Sequence, residues 1–485
     1  MLNRLHMSLI RSPVDIVITA ALSACLLAGC AAGPDYARPV VESPAAYKEQ
    51  GAWKAAQPGD DAGRGKWWEV FSDPLLNSLQ EQVDVSNQNL ARAEAQFRQA
   101  EAMVQGARAS YFPGITGSAS SARSRASSTT VSRDVVTSYS LPVSLSWEAD
   151  IWGRIRRNVE ANEAGAQASA ADLESARLSA HAQLAQNYFQ LRALDRERQL
   201  FDDTVAGYEK SLQLTQNQYQ VGVAARADVV QAQTQLKTAQ AQALDLGVPR
   251  AQLEHAIALL IGKPASGFSL PRMPLSAKPP QIPAGVPSEL LERRPDIAAA
   301  ERRMAAANAQ IGVAKAAYFP SLTLSAAAGF QSASFAPWLT APSRFWSIGP
   351  AIALSLFDGG LRRAQTGQAI AAYDANVAAY RQAVLTGFQE VEDNLASLRI
   401  LEQEAEVQGE ALRLAEQSLA LAVNQYKAGT VTYLNVVVAQ ATALASQRSA
   451  VDIAYRRLNA SVQLIKALGG GWNAGGSGER RAPVR

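Results

Sequence analysis

The chain has 485 residues, 48% hydrophobic and only 18% charged, with 46 Lys and Arg against 43 Asp and Glu for a net charge of +3. That is length for two or three ordinary domains, with less charge than the roughly 25% usual in soluble ones. The basic residues are scattered and so are the acidic ones, which excludes a nucleic-acid stripe and gives no support to an acidic binding face.

Arg4 and Arg11 precede an apolar stretch from Ile16 to Leu27, which runs into Leu27-Ala28-Gly29-Cys30. A basic start, a short apolar run and small residues read as a secretory signal over residues 1–29, too short to span a bilayer as a helix. Cys after Leu-Ala-Gly resembles the bacterial lipobox, which implies cleavage before Cys30 and a covalent lipid on it. Apart from that lipid no cofactor is expected. Ala31 stands where inner-membrane retention usually goes with Asp, so the outer membrane of a Gram-negative bacterium is the expected address. Cys25 leaves with the signal, and the single remaining Cys cannot form an internal disulfide. Residues 30–66 hold Pro34, Pro39, Pro44 and Pro58 and read as an extended, lipidated tether.

In "KWWEVFSDPLLNSL", Asp73-Pro74 suits a helix start with Pro at the first helical position. An internal repeat follows. "QNQYQVGVAARADVVQAQ" at 216–233 and "VNQYKAGTVTYLNVVVAQ" at 423–440 are 207 residues apart and agree at eight of eighteen positions. Tyr111-Phe112-Pro113 and Tyr318-Phe319-Pro320 keep the same offset. That period is too long for a solenoid unit and indicates a duplicated domain, 67–264 and 288–468, joined by a Pro-rich linker at 265–287. Residues 469–485 read as a flexible tail. In each copy about 65 residues free of proline and rich in Ala, Gln, Leu, Glu and Arg read as one helix of roughly 100 Å. Gly222 and Gly429 break these helices, and a return helix of about 35–40 residues follows. Pro249 is expected to kink or restart the first return helix.

Between the leading helix and the long helix of each copy lie stretches that alternate. Tyr139, Leu141, Val143, Leu145 and Trp147 fall on one face against Ser140, Pro142, Ser144 and Ser146 on the other. "SLTLSAAAGF" and "SIGPAIALSL" repeat the pattern, the latter through Ile348, Pro350, Ile352, Leu354 and Leu356, whereas "GITGSASSA" is weaker. Such a period fits a soluble sheet with one covered face, and equally a membrane β-barrel strand with its apolar face on lipid. Under the barrel reading four strands cannot close alone, since small barrels need about eight, and three chains would supply twelve.

"LAGCAAGPDYARP", "KWWEVFSDPLLNSL", "LLERRPDIAAAERRMAAANAQIGVAKAAYFPSLTLS" and "LSLFDGGLRRA" together resemble the TolC-like outer-membrane efflux factors of the lipoprotein, NodT-type branch. The resemblance extends from the lipobox to about residue 472. It implies a mainly α fold with a membrane β-barrel, in which a homotrimer forms a twelve-stranded barrel and a twelve-helix periplasmic α-barrel. The implied partners are a periplasmic adaptor and an inner-membrane transporter of the RND type, and the implied function is passive export of drugs and other toxic small molecules. By the same resemblance the glycine turns form the periplasmic tip, with Val221, Gly222, Arg226, Ala227, Asp228, Gly429 and Thr430 at the adaptor contact and Tyr426, Leu434 and Val438 at the aperture. Many relatives carry Asp where this chain has Val438, so an apolar seal is expected here in place of a carboxylate ring.

His181 and His255 lie in helical runs without ligand-spaced Cys or carboxylates, so no metal site is expected, and no nucleophile elbow or phosphate loop occurs. An enzyme is not indicated. The competing readings are a duct for polypeptide secretion and a lipid-anchored periplasmic scaffold without a pore.

Overall fold

The structure is a computed structural model that describes residues 32–39, 44, 46–49, 65–125, 127, 135–282 and 293–470. The signal segment, Cys30, residues 283–287 of the linker and the tail from 471 lie outside the described residues.

A 3₁₀ turn, Trp67–Phe71, leads to α1 (Pro74–Ser86) and α2 (Gln88–Ala109). Strands β1 (Gly114–Gly117), β2 (Ser120–Arg125) and β3 (Val135–Ala149) follow, then the helices α3 (Arg154–Gln220), α4 (Arg226–Asp245) and α5 (Gly247–Leu260). The second half runs α6 (Pro295–Ala316), β4 (Ser321–Ser332), β5 (Arg344–Ala353), α7 (Leu361–Lys427) and α8 (Tyr433–Ala467). Adding 207 to the bounds of α2 gives α6, and the same offset carries α3 to α7 and the span of α4 plus α5 to α8. The two long helices have 67 residues each. In the first return arm the helix breaks at Leu246, so that Pro249 enters the first turn of α5, where its missing N–H costs nothing.

The residues gather into two compact units. The first comprises 98–168 and 300–379 with the described N-terminal residues through Pro39, and holds the sheet. β1 and β2 pair in one register with β3, β3 with β4 and β4 with β5, all antiparallel. β5 begins at Arg344 and ends at Ala353, where its partner β4 starts at Ser321, so Leu354 and Leu356 fall outside the ladder contrary to expectation. The N-terminal stretch is tied down along its described length. Ala32 N–H donates to the Trp152 carbonyl at 2.9 Å, Asp35 accepts from Arg157 at 2.7 Å, and Tyr36 donates to Glu301 at 2.5 Å. It crosses α6 where Gly33 meets Gly312; a Cβ on Gly33 would lie 2.4 Å from the Gly312 Cα.

The second unit comprises the described residues of 40–97, 169–299 and 380–470, and its main core joins Trp67, Trp68 and Phe71 to Leu184, Tyr188 and Phe189 of α3, Leu395 of α7 and Leu464 of α8. Asp73 caps α1 by accepting from Leu75 and Leu76 N–H at 3.0 and 3.1 Å, and its other oxygen accepts from the Tyr188 hydroxyl at 2.6 Å. The conspicuous Arg-Arg-Pro-Asp motif is a brace. Arg294 grips Asp296 with two hydrogen bonds, donates to Glu390 of α7 at 2.5 Å, and reaches the last carbonyl of α8, Ala467, at 3.2 Å. Near the linker, buried Asp195 accepts from Arg192, Arg250 and the Met273 amide, fixing residues 270–275 against α3 and α5.

Candidate functional site

Directly opposed residues in a ladder point to the same side of a sheet. Across β1, β3, β4 and β5 one side carries the row Ile115, Leu145, Ala326, Ile348 and the row Gly117, Val143, Ala328, Trp346. The rows Trp147, Leu324, Pro350 and Ala149, Leu322, Ile352 lie on that side too, and Leu141 stands opposite Phe330. The other side is small and polar, as in Thr116, Ser144, Ala327, Ser347 and in Ser146, Ser325, Gly349. The apolar side is bare: Ile115, Trp346, Ile348 and Ile352 are 67%, 78%, 77% and 73% exposed. Along β3 it runs from Ala149 to Tyr139, ten steps or about 34 Å, which at the roughly 40° tilt of barrel strands is about 26 Å of height. That matches the roughly 25 Å apolar band of an outer-membrane barrel. Aromatics bracket it. Trp147 and Trp152 donate to the Tyr111 and Pro320 carbonyls at one end, and Tyr139 packs with Phe335 and Trp338 at the other.

The two glycine turns, in the second unit, have the same construction. Gly222 and Gly429 take φ of +79° and +76°, where a Cβ is disfavoured. Their N–H groups donate to the Tyr219 and Tyr426 carbonyls, both at 3.0 Å. The next residues, Val223 and Thr430, donate back to Gln218 and Gln425 at 2.9 and 3.0 Å. This is a Schellman motif written twice. At the start of α4 the Asp228 carboxylate accepts from the Ala225 N–H at 3.1 Å, a capping box with only its return half because Ala225 has no side-chain acceptor. The second turn has Thr432 at that place, without a side-chain cap, and Asn435 in the position of Asp228.

Beneath the turns the two repeats differ. Tyr426 and Tyr433 pack at 5.4 Å between ring centroids, in a cluster with Ala232, Val436 and Val437. The Tyr426 hydroxyl donates to Thr215 of α3 at 3.1 Å, and Gln440 donates to Ser211 at 3.1 Å. Among the described residues the Tyr433 hydroxyl is buried without a hydrogen-bond partner. Burial pushes both phenols up, Tyr433 to about 12, with the nearby Asp228 charge adding to the shift.

The outer membrane efflux protein family model matches residues 79–263 and again 286–470, once for each copy of the repeat. The chain belongs to the outer membrane efflux protein family. It is 32% identical over 471 residues to the pyoverdine export outer membrane protein OpmQ of Pseudomonas aeruginosa, covering 95% of this chain and 98% of that protein. It is also 32% identical to the outer membrane protein OprJ of the same species, over 95% and 97% of the two chains. Among solved structures, the outer-membrane channel OprN superimposes with a TM-score of 0.85 at 31% identity, over 91% of this chain and all of that one. The open state of the Neisseria gonorrhoeae channel MtrE does so with a TM-score of 0.80 at 27% identity, over 92% and 99%.

This efflux protein is therefore an outer-membrane component and not an enzyme. Its described residues place Val221, Gly222, Arg226, Ala227, Gly429 and Thr430 at the exposed turns, with Asp228 half-buried. Leu434 and Val438, one helical turn apart on α8, are 60% and 59% exposed on one side of the helix. Tyr426 is a correction. Expected to line the aperture, it is buried inside its own chain, because Thr215 of the first copy offers its hydroxyl a partner and Tyr433 covers its ring. Sequence reading missed Thr215 and Tyr433. The signal for Thr215 lay in the repeat itself, since position 422, its equivalent, is Ala.

Proposed function

We propose that three copies of this chain close a twelve-stranded β-barrel in the outer membrane and a twelve-helix α-barrel beneath it, as the passive exit duct of a tripartite pump. The observation that carries this reading is the sheet: one bare apolar side about as tall as a membrane, bounded by two edges, β5 and β1 with β2, that are unpaired among the described residues. Unpaired edges are a liability that closure removes, and four strands reach closure only with partners. A second support lies on α7, where Ile400, Val407, Leu414 and Leu421 recur every seven residues and are each at least half exposed. A strict heptad seam asks for a helix of another copy.

The glycine turns, with Val221 74% exposed and Arg226 beside it, suit docking of a periplasmic adaptor that links the duct to an inner-membrane transporter of the RND type. Leu434 and Val438, three copies of each, form an apolar constriction at the tip, one that gates by dewetting and lacks a carboxylate ring. Cys30 carries the lipid; the hydrogen bond of Ala32 to Trp152 holds the adjoining residues at the helix-bearing end of the sheet, where the inner leaflet surface would lie. Relatives include a pyoverdine export protein and a toluene efflux protein of Pseudomonas putida, which favours small toxic molecules as cargo.

The test is compound accumulation in a deletion strain complemented with wild type or with Leu434→Ala/Val438→Ala, paired with planar-bilayer conductance of both proteins. Wild type should lower accumulation, and the variant should conduct markedly more. Unchanged accumulation across a broad panel of small molecules counts against the cargo, and wild-type-like conductance of the variant counts against the seal.

A further inference from the structure

The small, polar side of the sheet is almost free of charge. Along β3 it alternates through Ser140, Ser144 and Ser146 to Glu148, and β4 and β5 bring Gln331, Ser325 and Ser347 to the same side. By register the strand arginines Arg123, Arg125 and Arg344 all fall on the apolar side, opposite Thr137, Val135 and Phe330. Among the described strand residues Glu148, opposite Thr323, is therefore the one ionisable group on the polar side. Hydroxyls donate or accept as they rotate, so a wall of them solvates a cation as readily as an anion. Only Glu148 would tell the two apart.

Glu148 is not left to act. Arg154, at the start of α3, holds it with both arms of its guanidinium, Nε to Oε1 at 2.9 Å and Nη2 to Oε2 at 2.7 Å. The intervening turn fixes that approach. Asp150 accepts from the Ile155 and Arg156 N–H groups, both at 2.8 Å, and Gly153 takes φ of +77°. The Arg154 and Glu148 side chains stay 45% and 30% exposed. An ion pair that wet adds little to stability, whereas like charges repeated around a tube focus a field within it. Three lone carboxylates around one axis would favour cations. A guanidinium bound to each in a fork confines that field to a short range.

We propose that Arg154 is a specificity-determining residue of the duct: by neutralising Glu148 it keeps the barrel lumen free of net charge, so that cationic, anionic and uncharged small molecules pass alike. The proposal rests on the barrel reading.

The test uses full-length protein in lipid vesicles with one introduced thiol on the polar side, Ser144→Cys or Ser146→Cys, and the unsubstituted protein as blank. Modification rates are measured for a cationic and an anionic methanethiosulfonate reagent, and their ratio is compared with that of a free small thiol. With Arg154 in place the two ratios should agree within about threefold. Arg154→Gln should raise the protein's ratio about tenfold at ~0.01 M salt and far less at ~1 M, where the Debye length is about 3 Å. Glu148→Gln should move it the opposite way, Arg154→Lys should leave it in place, and Glu148→Gln/Arg154→Gln should restore it. A brace that only anchored α3 would leave the ratio the same in every variant. That outcome overturns the proposal, and so does a ratio outside the threefold range while Arg154 is intact. Leu145→Cys, on the apolar side, tests the barrel reading separately and should resist both reagents. If it reacts as fast as Ser144→Cys the barrel reading fails, whereas a protected Leu145→Cys with the wrong ratios sinks this proposal alone. Should Arg154→Gln fail to fold, the shift in Glu148→Gln and the ratio with Arg154 intact decide.

Discussion

Tyr426 and Tyr433 stand seven residues apart and share one cluster, yet their hydroxyls have opposite consequences. Tyr426 donates to Thr215, so Tyr426→Phe should cost about 1 kcal/mol, the usual net worth of an internal hydrogen bond. The Tyr433 hydroxyl is buried without a partner among the described residues, and Tyr433→Phe should be neutral or stabilising by up to about 1 kcal/mol. Guanidinium unfolding of the helical signal, read as a shift in midpoint, compares the two. The same phenol gives a pH dependence. Tyr433 is raised from 10.0 to about 12, so the fold favours its neutral form. Its contribution is complete below pH 10, where both states are protonated, and is lost as pH rises from 10 through 12, because the unfolded chain ionises first. Tyr433→Phe should flatten that part of the stability profile; an unaltered slope between pH 10 and 12 would assign it to other groups.

At the scale of elements, caps and braces set where helices begin and what they hold. Asp73 caps α1 and accepts from Tyr188 of α3, so Asp73→Ala should destabilise by about 1–2 kcal/mol, at the upper end for a cap. A thermal melt in which this variant matches wild type would show that Tyr188 and the cap find replacements. Arg294 is buried while its partners Asp296 and Glu390 remain partly solvated. Arg294→Ala should therefore cost about 2–3 kcal/mol, less than the 3–5 typical when a fully buried pair is broken. The Arg-Arg-Pro-Asp motif stood out in the sequence as a family signature, but its task did not. Glu390 and Ala467 are 96 and 173 residues away, and no local pattern links them to Arg294.

For the whole molecule, the bare sheet side and the heptad seam both describe surfaces that one chain leaves uncovered. Val407→Glu with Leu414→Glu places two charges on the seam, where a helix of a neighbouring copy would bury them unpaired. The variant should keep its helical content by circular dichroism but lose the heat-modifiable oligomer. A stable oligomer with both charges in place would move the interface elsewhere on the helices.

Much was legible without coordinates because it is local or periodic. The 207-residue offset, the 67-residue helices, the glycine breaks and the apolar–polar alternation all follow from backbone preference and side-chain spacing within a few residues. Strand faces could be read for the same reason, although the bounds of β5 could not, since a ladder ends where its partner ends. Position in three dimensions was a different matter. Whether a tyrosine beside a glycine turn faces open space or its own chain depends on what the other repeat presents, here Thr215 where its twin has Ala422. The sequence by itself determined the duplicated architecture and the two faces of its strands. Tertiary packing alone decided that Tyr426 is buried while Leu434 and Val438 stay exposed, because burial is a property of neighbours that the chain brings together from hundreds of residues apart.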